Sequence, residues 1–204
     1  MTFIQEIYRL ILIRFYKSIF EIDIKFNDFD PKREDAYILV GNHPCLHDGV
    51  YISTYLKNPP KPIINTFMFT SKVWKFILTK MYPAIAKRKG QNDIITVRSM
   101  MTTIKSGRGV MLFPEGNSSF FGEQSKIPFS TYKFMKKMKK DVVVCKTNGA
   151  YLVTPRWAKK RVKKGLIEVN FHTLIKGEEI ASLSVEEIES KIIESIKFND
   201  FDWN

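Results

Sequence analysis

Three short stretches, "AYILV" (36–40), "GVMLF" (109–113) and "DVVVCKT" (141–147), are apolar without alternation. A run of this kind has no face reserved for water, so it suits a strand covered on both sides, as in a parallel sheet flanked by helices. "KPIINTF" (61–67) reads as a further strand. In "GLIEVNFHTLI" (165–175), Ile167, Val169 and Phe171 alternate with Glu168, Asn170 and His172, the pattern of a strand with one wet face. "IITVRSMMTTIK" (94–105) places Ile94, Val97, Met101 and Ile104 at helical spacing, with Asn92 or Asp93 as cap and Gly107 and Gly109 as stops. The last helix opens on Ser184, with Glu187 completing a capping box and Leu183 able to staple onto Ile188. Strands alternating with helices predict a single α/β domain with a mostly parallel or mixed sheet flanked by helices. No Pro/Gly/Ser-rich linker divides it. The expected organisation is an amphipathic N-terminal helix (1–22) followed by one domain (23–204).

The chain's 204 residues suffice for a good core, and 44% hydrophobic content excludes disorder. A net charge of +12 points to anionic partners: lipid, nucleic acid or phosphorylated substrates. No RNP, zinc-finger or helix-turn-helix signature is present, so nucleic acid is not expected. Cys45 and Cys145 form no CxxC and no cleavable signal peptide is visible, which favours reduced thiols in the cytoplasm.

No window of about twenty apolar residues is free of charge, so a spanning helix is not expected. In "MTFIQEIYRLILIRFYKSIF", Gln5, Glu6, Arg9, Arg14 and Lys17 fall on one side of a helix. Phe3, Ile4, Ile7, Leu10, Ile11, Phe15 and Ile19 fill much of the rest. That distribution suits a helix lying in a membrane interface or one packed on the domain's own core. "YKFMKKMKK" (132–140) and "PRWAKKRVKK" (155–164) could meet an anionic cytoplasmic leaflet, dock an acidic carrier protein, or simply be solvated. The heptapeptide "IKFNDFD" occurs at 24–30 and again at 196–202, too little for a repeat architecture.

The chemistry concentrates in "GNHPCLHDG" (41–49). The residue before a proline is pushed towards extended geometry, and proline favours the first helical position. His43 is therefore expected at the end of a strand, with a helix beginning at Pro44. From there its ring can fold over the first turn onto Asp48. A His43–His47 metal pair would need both on one helical face. Paired with Asp48, His43 could hold one ring nitrogen protonated and accept a proton at the other. Alternatives are a metal hydrolase using His43, His47, Asp48 and Glu115, or a binding module in which His43 only caps a helix.

"LFPEGNSS" (112–119) then ends a buried strand with Glu115, a costly residue to bury alone, and Gly116, which lets a ligand approach the backbone. Together, N-H-x4-D and F-P-E-G in this order and spacing resemble the glycerolipid acyltransferase family typified by 1-acylglycerol-3-phosphate acyltransferases, over most of residues 36–157. The resemblance implies His43 as general base, Asp48 as its orienting partner, and substrate contacts from Asn42 and from Glu115, Gly116, Asn117 and Ser118 of the second block. "SKVWKF" and "AKRKG" look like the family's intervening basic positions and give Lys72 and Arg88 as phosphate contacts, with Lys87 or Lys89 as neighbours in register. "VVVCKTNGAYLVTPRWAK" is similar to its last block, with valine near Val143 in place of the usual proline. Many members read F-P-E-G-T-R-S, so Ser118 stands where they have a phosphate-binding arginine. A serine cannot imitate that fork.

The reaction implied is direct acyl transfer to a lysophospholipid hydroxyl, from acyl-CoA or acyl-carrier protein as co-substrate. No cofactor or metal is implied. The location implied is peripheral, on the cytoplasmic face of the cell membrane. Cys45, beside the base, occupies a variable motif position and is not expected to be a nucleophile.

Overall fold

The protein is described from a computed structural model covering residues 3–45, 47–87, 94–116, 118, 126–153 and 165–197. The helices are α1 (Phe3–Ile19), α2 (Asp48–Thr54), α3 (Lys72–Phe76), α4 (Ile94–Lys105), α5 (Phe129–Met138), α6 (Ala150–Val153) and α7 (Val185–Ile196). The strands are β1 (Glu21–Phe26), β2 (Ile38–Gly41), β3 (Lys61–Asn65), β4 (Ile85–Lys87), β5 (Val110–Leu112), β6 (Val142–Asn148) and β7 (Leu166–Ile175). They form one seven-stranded sheet in the order β1-β7-β6-β2-β5-β3-β4. The block β6-β2-β5-β3-β4 is parallel throughout; β7 runs antiparallel to β6, and β1 runs parallel to β7. This is the mixed α/β sheet the apolar runs predict.

Strand period two divides the core between the two sheet faces. Ile38 and Val40 of β2 and Val110 and Leu112 of β5 pack with Tyr132 and Met135 of α5 and Ile188 and Ile192 of α7. Leu39 and Met111 from the same strands, with Val143 of β6, pack on the other face, against Tyr16 of α1, Phe20 just after it, and Tyr51 and Ile52 of α2. The connection after β2 therefore enters one face and the connection after β5 the other. Adjacent strand ends whose connections diverge in this way leave a crevice at the carboxyl edge, where α/β proteins bind ligands.

Several expectations need correction. The first helix, expected to reach residue 22, ends at Ile19, and the edge strand β1 follows it, with Ile22, Ile24 and Phe26 alternating with polar residues. β4 is only three residues long and carries too little periodicity to be read. α4 has the expected span but buries Thr96, Met100, Thr103 and Ile104, leaving Ile94 and Val97 exposed. Its stop is a Schellman motif: Gly107, at φ +83°, donates to Ile104 O and Arg108 donates to Thr103 O. Ser184 and Glu187 form the expected capping box. The basic stretch 132–140 is largely α5, whose Tyr132, Phe134 and Met135 are buried, on the sheet face opposite α1. The two copies of "IKFNDFD" begin differently, Ile24 in a strand and Ile196 in a helix. The second basic stretch (155–164), Asn92 and Asp93 lie outside the described residues.

Gly109 sets the entry of β5 against β2. A Cβ there would stand 2.7 Å from Tyr37 O, a backbone atom with little freedom to yield. Gly109→Ala should destabilise the protein by about 1–3 kcal/mol through overpacking. Urea unfolding would show a lower midpoint at unchanged slope, and an unaltered midpoint would contradict this account.

Candidate active site

β2 ends at Gly41 and delivers Asn42 and His43 to the carboxyl edge. Asn42 is fully buried. Its Nδ2 donates to Thr147 O and its Oδ1 accepts from Thr147 N, both at 2.8 Å. Both halves of the amide are thus committed to the neighbouring strand β6, so Asn42 acts as a clamp between strand ends rather than facing a substrate.

Pro44 and Cys45 lie in a bend outside any helix, and α2 begins at Asp48, four residues later than Pro44 suggests. Side-chain acceptance replaces helix in this turn: the Cys45 N–H donates to Asp48 Oδ2 at 2.9 Å and the Cys45 thiol donates to Oδ1 at 2.9 Å. Tyr51, one helical turn beyond Asp48, donates its hydroxyl to Oδ1. Burial, and then the adjacent Asp48 charge, push the Tyr51 phenol well above its ordinary range, so it remains a donor. The fourth partner is His43, whose Nδ1 lies 3.0 Å from Oδ2. A ring nitrogen facing a carboxylate oxygen carries the proton, which leaves Nε2 as an acceptor.

His43 retains 16% side-chain exposure, against none for Asp48. The imidazole is stacked on Phe113, with centroids 4.4 Å apart and planes 18° apart. Phe113 fits because Gly41 lacks a side chain: a Cβ there would lie 3.1 Å from the phenyl ring and 3.0 Å from Cys145 O. Phe113 opens a β-turn in which Gly116 N donates to Phe113 O at 2.9 Å, with Pro114 at the second position. Gly116 has φ +75°, a conformation glycine adopts without strain. Glu115 and Ser118 are buried, at 7% and 4% exposure.

Lys72 is exposed at the start of α3, which follows β3, and Lys87 is exposed as the last residue of β4, at the carboxyl edge of the parallel block. Arg88 and Asn117 lie outside the described residues. His47 is exposed and turned to Tyr16 of α1, its Nδ1 3.4 Å from the hydroxyl, so the residues of the metal alternative are not gathered around one point. Among the described residues, no group of three His, Cys, Asp or Glu side chains has the arrangement to hold a metal ion. Cys45 is buried, with its thiol on Asp48.

Behind the pair, α2 is held by its neighbours. Tyr82 and Ser53 hydroxyls donate to Gly49 O, and Arg9 of α1 donates to Thr54 O at 2.8 Å. Sequence reasoning overlooked Tyr51 and Phe113 as supports. The Asp48–Tyr51 spacing of three within a helix was the available signal for the first. For the second there was none, since the stacking is set by the pairing of β2 with β5.

A hydroxyl placed against His43 Nε2 could be deprotonated as it attacked an electrophile, the geometry that general-base group transfer requires. The protein belongs to the Acyltransferase family, whose model matches residues 23–153. Its fold is similar to the crystal structure of the 1-acyl-sn-glycerophosphate (LPA) acyltransferase PlsC from Thermotoga maritima. The TM-score is 0.79 at 15% identity, over 95% of this chain and 76% of that one.

Asn42→Ala would leave the Thr147 N–H and C=O buried without their partner and should cost about 2–4 kcal/mol. Tyr51→Phe, which removes one donor to a buried carboxylate, should cost about 1.5–3 kcal/mol. Chemical denaturation of the two variants checks both values, and losses below about 0.5 kcal/mol, typical of surface changes, would refute the assigned roles.

Proposed function

We propose that this acyltransferase moves a fatty acyl chain from acyl-CoA or acyl-carrier protein to the hydroxyl of a lysophospholipid, with 1-acylglycerol-3-phosphate as the first acceptor. The carrying observation is the His43–Asp48 contact at 3.0 Å, with His43 held by Phe113 and Asp48 by three further donors. His43 Nε2 takes the acceptor's proton as its oxygen attacks the thioester carbonyl. The tetrahedral oxyanion collapses, the C–S bond breaks, and the thiolate leaves as a thiol with the proton returned by the imidazolium. Asp48 holds the ring's tautomer and offsets its transient charge.

Glu115, Gly116, Asn117 and Ser118 border the proposed acceptor site, while Lys72 and Arg88 supply its phosphate contacts. With serine at 118, phosphate recognition falls to these basic residues. A second reading, transfer to a lysolipid without a terminal phosphate monoester, is favoured by that same serine. Lipid access comes from α1. Its inner edge docks on the domain through Tyr16, Leu12 and Arg9, and Phe3, Ile7, Leu10, Ile11 and Phe15 remain exposed. We therefore assign the protein to the cytoplasmic membrane surface as a peripheral enzyme.

General-base catalysis contributes about 10²–10⁴ in rate, so His43→Ala should lower kcat by that factor at unchanged fold. The measurement is transfer of labelled acyl chains from both donors to lysophosphatidate, other lysophospholipids and glycerol-3-phosphate. Turnover confined to acceptors lacking the phosphate monoester would select the second reading. A folded, lipid-supplied wild type that acylates none of them would remove the proposal.

A further inference from the structure

We propose that residues 66–76 form a second membrane-docking element, which joins the outward stripe of α1 to seat the sheet's carboxyl edge on an anionic bilayer. β3 ends at Asn65, whose side chain caps a 3-10 turn (Thr66–Phe69) by accepting from Phe67 N at 3.0 Å, and α3 follows. Every residue from Thr70 to Phe76 is exposed. Successive helical residues point about 100° apart, so α3 has no buried face. What it presents is Val73, Trp74 and Phe76 at 68%, 46% and 58% exposure, with Phe67 beside them at 75%. Scattered surface hydrophobics are ordinary, but an apolar cluster on a projecting turn marks an interaction site.

The neighbouring charge selects the occupant. Between Asp48 and Asp93 the sequence contains no acidic residue, yet it holds Lys57, Lys61, Lys72, Lys75, Lys80, Lys87, Arg88 and Lys89. Lys72 and Lys75 lie on α3 itself and Lys80 follows in the π-helical turn Ile77–Met81. Aromatic and aliphatic side chains among lysines fit a lipid interface, where the rings enter below the headgroups and the ammonium groups meet anionic phosphates. The turn that follows this element adjoins α1: Gln5 Nε2 donates to Lys80 O at 2.9 Å. The element also follows the carboxyl end of β3, next to the strand that delivers Phe113. The use made of this surface rests on the proposed lipid acceptor, but its existence does not, because binding is read without turnover.

The test uses the full chain with phosphatidylcholine vesicles, with and without phosphatidylglycerol. In a W157F/W203F background Trp74 is the sole tryptophan; its emission should move to the blue on anionic vesicles and be quenched by brominated lipid. Phe67→Asp with Phe76→Asp should weaken vesicle partitioning about 10–100-fold, given the apolar burial lost, with the unfolding transition unchanged. Trp74 emission indifferent to vesicles that the protein nevertheless binds would overturn the proposal. So would a double variant that partitions like the wild type. A double variant that only converts a dimer to a monomer would show a second copy covering the face, and would overturn it too. Intact binding without acyl transfer would count against the reaction and not against this surface.

Discussion

The site depends on keeping one fully buried carboxylate in place. Removing Asp48 from water costs several kcal/mol, and only well-aligned donors offset such a cost. Three of its four donors are local: the Cys45 amide, the Cys45 thiol and the Tyr51 hydroxyl lie three residues to either side. They are part of the same turn and helix, so the carboxylate is satisfied whether or not His43 contributes. Asp48 also sits in the first turn of α2, where the helix dipole favours negative charge. The His43 ring is thus the adjustable member, and the Phe113 stack limits the direction in which it can turn.

The sheet supplies what local sequence cannot. β2 and β5 are neighbours in space although about seventy residues separate them in the chain. The helices that follow them, α2 and α5, lie on opposite faces, to either side of the gap between their carboxyl ends. Gly41 keeps that gap narrow enough for Phe113 to reach His43, and Asn42 ties the same strand end to β6. A larger residue at 41 would move the ring, and a shorter one at 42 would loosen the strand that carries His43.

The buried strands were legible because each is a continuous apolar run, and the last helix because its capping box is purely local. The His43–Asp48 contact was legible because proline constrains its own neighbourhood. The start of α2 was not, since the Asp48 side chain captures the Cys45 amide and holds the turn open in place of a helix. Nor was the inward face of α4, where Thr96 and Thr103 are buried while Ile94 and Val97 face out. Local periodicity assumes that apolar residues point inward. This chain departs from that assumption in both α4 and α1.

In α1 the departure has a structural logic. The helix turns two polar residues inward, and each finds a carbonyl that its own helix leaves open: Arg9 binds Thr54 O at the end of α2, and Gln5 binds Lys80 O in the turn Ile77–Met81. The last carbonyls of a helix lack intrahelical partners and carry partial negative charge, so a guanidinium satisfies the first and complements its dipole. Among the described residues of α1, Tyr16 is deeply buried, next to Tyr51, and Phe20 just beyond the helix is buried with it. Leu12 and Ile19 pack partly on the same core, while Phe3, Ile7, Leu10, Ile11 and Phe15 stay exposed. Through Arg9 the helix is fixed to the far end of the helix whose first turn carries Asp48. α2 is two turns long, so whatever holds α1 in place also sets the orientation of the carboxylate, and through it the ring of His43.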